Sequence, residues 1–234
     1  MPTLTVYELR QYTIVPGRLD VALERFQDRL PAMFARHNIR NIGRWSVSAG
    51  AATPGFTYLM AYDDLAERER VWSAFYEDDE WWRIRAETQG AEEATERFDL
   101  HFLRRSPIWT PARLEPALLS GVHELMFAEI AVGRQTAAAA YCRDTYIPLI
   151  EHCGGSVMLV ADFITGPALP KMGFMFAWPD ADTRQQGWKR INGDRALAEA
   201  IAAQRHEHGR ALLGRTGSWV LDPTPRLLPE ASFA

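Results

Sequence analysis

The chain has 234 residues, 47% hydrophobic and 24% charged, with a formal net charge of −4. Its 8 Trp, 7 Tyr and 11 Phe can bury a large core, which excludes a disordered chain. The acidic balance argues against a nucleic-acid partner, which calls for a basic surface, and no apolar run approaches the roughly 20 residues of a membrane span.

Residues 5–13 (TVYELRQYT) alternate and are rich in β-branched and aromatic types, so they read as a strand. Pro16-Gly17 signals a turn. From Arg18 to His37, Leu19, Leu23, Phe26, Leu30, Met33 and Phe34 recur at helical spacing. Pro31 lies inside that run and predicts a kink or split near Asp28. Residues 42–48 and 56–62 read as strands, the second after a Pro54-Gly55 turn. A helix over 65–75, a short helical piece over 81–88 and a strand over 98–103 complete a βαββαβ order. Between Arg104 and Gly121, Pro107, Pro111 and Pro116 read as a semi-rigid linker. The order then recurs: strand 122–130, helix 134–152, strands 156–164 and 173–178, helix 182–191 with an extension to about 213, and strand 217–221.

The recurrence has an offset of 116 residues. Glu8-Leu9 falls on Glu124-Leu125, Gly17-Arg18 on Gly133-Arg134 and Asp28 on Asp144. Asp64 falls on Asp180, Arg68 on Arg184, Trp72 on Trp188 and Asp78 on Asp194. The expected organisation is a module over 1–104, a linker over 105–121 and a second module over 122–234. The βαββαβ order is the ferredoxin-like topology, a four-stranded antiparallel sheet with its helices on one face. Each sheet then has a bare face, and two bare faces can cover each other. The expected fold class is therefore α+β: two tandem ferredoxin-like modules forming an α+β barrel within one chain.

Cys142 and Cys153 form no CxxC pair and read as half-buried thiols. The first ten residues carry no basic and apolar leader, so a cytoplasmic location is expected. There is no GxGxxG after a strand, no GxxxxGK[ST], no HExxH and no GxSxG. Nicotinamide, nucleotide and zinc chemistry are thus not expected, and no cofactor or metal is assigned. His206 and His208, two apart on a helix, face different directions and do not suit a shared metal.

Alternation divides strand one into Tyr7, Leu9 and Gln11 on one face and Glu8, Arg10 and Tyr12 on the other. A helix-covered face should be mostly apolar, which assigns Leu9 to it and sends Glu8, Arg10 and Tyr12 between the sheets. By the same reasoning Phe56, Tyr58, Met60 and Tyr62 line that interior. Glu124 and Met126, then Phe174, Phe176 and Trp178, join them from the second copy, and His101 with Asp99 from the fourth strand. An aromatic interior with a few charges suits a small-molecule pocket. The alternative is a filled core in which Glu8 and Arg10 merely satisfy each other. His37 and His152 occupy matching helix ends, where an imidazole is either a favourable C-terminal cation or a general base. Of Trp81-Trp82, one is expected to cap the barrel mouth or an oligomer interface.

Tyr7-Glu8-Leu9-Arg10-Gln11-Tyr12-Thr13 followed by Pro16-Gly17-Arg18 resembles the opening strand and turn of NIPSNAP-family domains. Phe34-Ala35-Arg36-His37 ahead of Gly43 and Trp45, Tyr62-Asp63-Asp64 ahead of Arg68 and Trp72, and Asp79-Glu80-Trp81 agree with it. The resemblance covers residues 5–103 and extends more weakly to the second copy. It implies the dimeric α+β barrel superfamily, which holds cofactor-free oxygenases, cyclases and isomerases, lactone-forming or dehalogenating enzymes, and haem enzymes. Membership sets the fold more firmly than the reaction.

The first functional expectation is a cofactor-independent enzyme acting on a small aromatic or unsaturated acid or ketone, by isomerisation, cyclisation, lyase chemistry or oxygenation. Glu8 or His37 would be the base, with Glu124 and His152 as second-copy counterparts. Arg10 would hold a carboxylate or enolate, and Tyr12, Tyr58, Tyr62, His101 and Trp178 would shape the pocket. The partner is then a small-molecule substrate, with no nucleic acid and no membrane, and the assembly a homodimer of tandem barrels. The second expectation is a non-catalytic NIPSNAP-like binding or interaction protein. The third is a haem protein with His101 or His37 as axial ligand.

Overall fold

The computed structural model describes residues 6–51, 53–90, 92–110 and 116–223. The chain divides into two compact units, one built chiefly of residues up to Arg104 and one running from Arg105 to Leu221. The class is α+β, each unit carrying a four-stranded antiparallel sheet.

In the first unit, β1 (Val6–Ile14) lies between β3 (Gly55–Tyr62) and β4 (Thr95–Arg105), and β2 (Arg40–Ala49) pairs with the far side of β3. Gly17 closes the first turn at φ 81°, a conformation that glycine adopts without steric cost. The helical run that follows is split, as Pro31 predicts. Helix α1 (Leu19–Leu23) passes through a π-helical segment, Glu24–Arg29, into α2 (Leu30–Arg36), where Pro31 occupies the first turn. A proline donates no N–H and crowds the carbonyl four residues back, and the wider π turn accommodates both. Asp64 caps α3 (Leu65–Glu77) by accepting from the Glu67 amide at 2.7 Å, and Asp78 caps α4 (Asp79–Gln89) by accepting from the Glu80 amide at 2.9 Å.

Within the stretch expected to be a linker, Pro116–Leu119 forms a short helix, α5; Pro111 lies outside the described residues. The second unit follows the same order of elements. Strand β5 (Val122–Ile130) lies between β7 (Lys171–Trp178) and β8 (Leu213–Pro223), and β6 (Ser156–Phe163) pairs with β7. Helices α6 (Gln135–Tyr141) and α7 (Ile147–His152) flank a second π segment, Cys142–Tyr146, just ahead of Pro148. Asp180 caps α8 (Ala181–Asn192) and Asp194 caps α9 (Arg195–His208). The matched pairs Asp64 with Asp180 and Asp78 with Asp194 are thus helix caps, whereas Asp28 and Asp144 lie within the two π segments. The expected extension of one helix to about 213 is corrected: Asp194 starts a new helix, which ends at His208 beside Gly209, and Leu213 already belongs to β8. Among the described residues, no helix is long and apolar enough to cross a membrane.

The assignment of sheet faces is reversed. Phe26 stacks on Phe56 with ring centroids 4.9 Å apart and meets Tyr58 edge-on at 5.1 Å, and Phe34 meets Tyr58 at 5.8 Å. These helix residues form one buried core with Phe56, Tyr58, Met60, Tyr62, Trp72 and Phe75. Glu8, Arg10 and Tyr12, paired in register with Met60, Tyr58 and Phe56, therefore face the helices of their own unit. Leu9, Thr57 and Leu59 hold the opposite face and are buried too. In the second unit, Glu124, Phe174, Phe176 and Trp178 likewise meet residues of the helical layer. Apolarity did not mark the helix side, because both faces of β3 and β7 are buried along their whole length.

Gly43 shows how tightly β2 is packed. A methyl group there would run into the ring of Trp45, which is completely buried. Gly43→Ala should therefore lower stability by about 1–3 kcal/mol, read as a shift of the urea midpoint at unchanged slope.

Candidate functional site

The helices of the first unit do not close completely over their sheet. They leave a cavity of about 500 Å³ whose floor is Arg10, Tyr12, Tyr58 and Phe98 from the strands. Phe26, Leu30 and Phe34 form one wall, Trp72 and Phe75 a second, and Trp81, Trp82 and Arg85 of α4 a third. Its size and largely aromatic lining are those of a small-molecule site.

Arg10 is the charged centre of the floor. Its Nε donates to the Glu8 carboxylate, its Nη1 donates to the Tyr12 hydroxyl at 3.4 Å, and its Cζ lies 3.7 Å from the centroid of the Trp72 ring. Burial opposes its charge, but Tyr12, Glu8 and Tyr76 together hold the guanidinium above its ordinary pKa, so it stays cationic. Burial pushes the Tyr12 and Tyr58 hydroxyls up, and both remain protonated donors at neutral pH.

Glu8 does not line the cavity. It is completely buried, with one carboxylate oxygen taken by Arg10 and the other accepting from Arg68 Nε of α3 at 2.6 Å. Glu124 is held in the same way: Arg184 donates to its two oxygens at 2.6 and 3.0 Å, and Trp188 Nε1 donates at 2.7 Å. His37 also lies off the cavity, at the end of α2, where its Nε2 is 2.8 Å from Asp78 Oδ2. Arg36 donates to the same oxygen. The Glu80 amide first, then His37 and Arg36, hold the Asp78 carboxyl down at about 2. His152 is exposed at the end of α7. Tyr62 is buried beside the cavity and accepts from Trp72 Nε1 at 2.7 Å. His101 pairs in register with Leu9 and so lies on the face away from the helices. Trp178 packs on Trp188 in the second unit, over Gly155 and Gly187. Of the ten residues singled out from the sequence, the structure brings Arg10, Tyr12 and Tyr58 to one cavity. No histidine lines it, so neither His101 nor His37 can serve there as the axial ligand of a haem. Among the described residues, no cluster of His, Cys, Asp and Glu could hold a metal ion. Burial pushes the Cys142 thiol up to about 12, which makes it inert at neutral pH.

Sequence reasoning missed Arg25, Glu93 and Glu96. Arg25 adjoins Phe26, and the π segment buries both where a regular helix separates neighbours more widely. Its Nε donates to Thr88 Oγ1 at 2.7 Å and its Nη1 to Glu93 Oε1 at 2.8 Å. Pro31 was the signal, since the π turn it requires shifts the inward stripe. Glu96 escaped because β4 begins three residues earlier than its apolar pattern, with the polar run Thr95-Glu96-Arg97 already paired to β1 or lining the cavity.

A four-stranded antiparallel sheet with helices on one face and a cavity between the two layers defines a ferredoxin-like domain. Residues 7–108 match the NIPSNAP family model, a span that runs from β1 through β4. No match is found among curated proteins. Among solved structures, the chain is similar to a candidate monooxygenase from Lactobacillus acidophilus, at 7% identity over 94% of each chain and a TM-score of 0.58. It is similar to a candidate monooxygenase from Fusobacterium nucleatum, at 8% identity over 95% of this chain and 94% of that one, with a TM-score of 0.57. An anthrone oxidase-like protein matches at 11% identity over 95% of this chain and 92% of that one, with a TM-score of 0.55. At these identities the likeness is one of fold.

Two outcomes follow from the ion pairs. Glu8→Gln should cost on the order of 3 kcal/mol, because it leaves the buried Arg10 guanidinium without its counter-charge and takes one of the two carboxylate partners of Arg68. Denaturant unfolding of this variant beside wild type checks it, and an unchanged midpoint would contradict the structural role. Asp78 is depressed below its ordinary value of 3.8, so its contribution to stability is complete above about pH 4 and is lost as the pH falls towards 2. The difference in melting temperature between wild type and Asp78→Asn should be constant at higher pH and shrink across that window.

Proposed function

We propose that the first unit takes a flat aromatic or unsaturated acid or ketone into this cavity and acts on it by cofactor-independent acid–base chemistry. The observation that carries the reading is the cationic Arg10 on an aromatic floor, flanked by the protonated hydroxyls of Tyr12 and Tyr58. A fixed cation and fixed donors in a water-poor cavity stabilise an enolate or phenolate far better than water does. Glu8 then fixes the guanidinium in place, and the proton is taken by a carboxylate that reaches the cavity. Glu96 suits that part, since it lines the cavity on the outer part of β4 and has no arginine partner among the described residues. An enolate formed this way serves isomerisation, cyclisation or lyase chemistry, and oxygenation with dioxygen as the oxidant. The names of the solved structures similar to this chain support the oxygenation branch.

A second reading is binding without turnover. It is favoured by the way Glu8, Glu124 and His37 are all engaged by partners in the fold. Consumption of a bound aromatic ketone or acid in air supports the enzyme, and tight binding with no consumption of any such compound supports the binder.

The Tyr58 hydroxyl has no hydrogen-bond partner among the described residues, so it does nothing for the fold. Tyr58→Phe should leave the melting temperature unchanged or raise it, while weakening the binding of 2-naphthol about tenfold by calorimetry. Unaltered affinity would count against the site.

A further inference from the structure

We infer that the cavity has a second pole for oxygen acceptors, built on Arg25 and Trp81, and that its ligand carries a carboxylate at that pole and a hydroxyaryl or enolisable oxygen at the Arg10 pole. This rests on the cavity being the ligand site. Arg10 and Arg25 are anchored on different elements, Arg10 against Trp72 of α3 and Arg25 against Thr88 of α4. Both are almost completely buried. Arg25 uses Nε and Nη1 within the fold and leaves Nη2 without a partner among the described residues, and Trp81 Nε1 is in the same condition. With the Tyr58 hydroxyl, three cavity-lining residues hold buried, unpaired hydrogen-bond donors. Donors left in that state are satisfied by acceptors, and charge-assisted acceptors are the strongest. The ionic balance of the lining agrees, with Arg10, Arg25, Arg85 and Arg97 set against Glu93 and Glu96.

The second copy separates recognition from framework. At the 116-residue offset, the framework residues Glu8, Arg68 and Trp72 recur as Glu124, Arg184 and Trp188. The donors do not. Arg10 becomes Met126, Arg25 becomes Tyr141, Tyr58 becomes Phe174 and Trp81 becomes Leu197. Both poles are lost together, while the ion pair that holds sheet to helix is kept. Groups needed only for folding would have been kept with it.

Calorimetry on the full chain at neutral pH, with 6-hydroxy-2-naphthoate and 2-naphthol as probes, tests the second pole. The hydroxy-acid should bind at least about tenfold more tightly than the naphthol. Arg25→Met should abolish that advantage and leave naphthol affinity unchanged. Trp81→Phe, which keeps an aromatic side chain and removes the indole N–H together with part of the ring system, should narrow the gap between the two probes in the same direction, and it decides the matter if Arg25→Met does not fold. Equal affinities for the two probes, or variants that weaken both probes alike, would overturn the second pole while leaving the cavity as a ligand site. If neither probe binds, the cavity reading itself fails.

Discussion

The first unit is organised around one buried carboxylate. Glu8 is the third residue of β1, shut off from solvent, between a guanidinium on its own strand and one reaching down from α3. An isolated charge at such a depth is prohibitively costly, so the two arginines are conditions of its being there. Arg68 thereby fixes the rotation and height of α3 over the sheet, and Trp72, one turn further along, is placed over Arg10. What remains between α3, the π segment and α4 is the cavity. The pocket is a by-product of where a salt bridge allows a helix to sit.

Much of this was legible in the sequence. The order of elements, the split in the first helix and the matched positions of the two copies all follow from periodicity, proline and simple alignment. The pairs Asp64 with Asp180 and Asp78 with Asp194 have a physical meaning as N-caps, which are tied to local backbone geometry and so can be read locally. The face of the sheet was not legible. Period-two alternation separates two sets of residues without saying which lies under the helices, and with β3 buried on both sides apolarity does not decide. The deciding partner of Glu8 lies sixty positions away, on another element. Arg25 was hidden for a related reason, since one additional residue in a π turn moves the inward stripe by a fraction of a turn.

The second unit shows what the same framework becomes without the polar floor. Met126 stands where Arg10 does, and with no second guanidinium on the strand, Arg184 takes both oxygens of Glu124. Tyr146, from the second π segment, lies against that methionine, with its hydroxyl 3.6 Å from the sulfur and its ring 5.9 Å from Phe174. A flexible thioether and an aromatic ring pack well against each other. The exchange of a guanidinium for a thioether thus turns a polar, charged floor into ordinary core.

Helices α3 and α4 are separated by the single residue Asp78, which ends one and caps the next. The two walls they supply are mechanically unequal. Helix α3 is clamped to the sheet through Arg68. Helix α4, eleven residues long, is held instead from the first helical run, where Arg25 donates to Thr88 and Arg18 to the Gln89 carbonyl, and Trp82 Nε1 ties it back to the Tyr76 carbonyl of α3. The two ends of the site are therefore braced by separate struts: a substitution that loosens α4 disturbs the Arg25 and Trp81 end and leaves the Arg10 end clamped to the sheet.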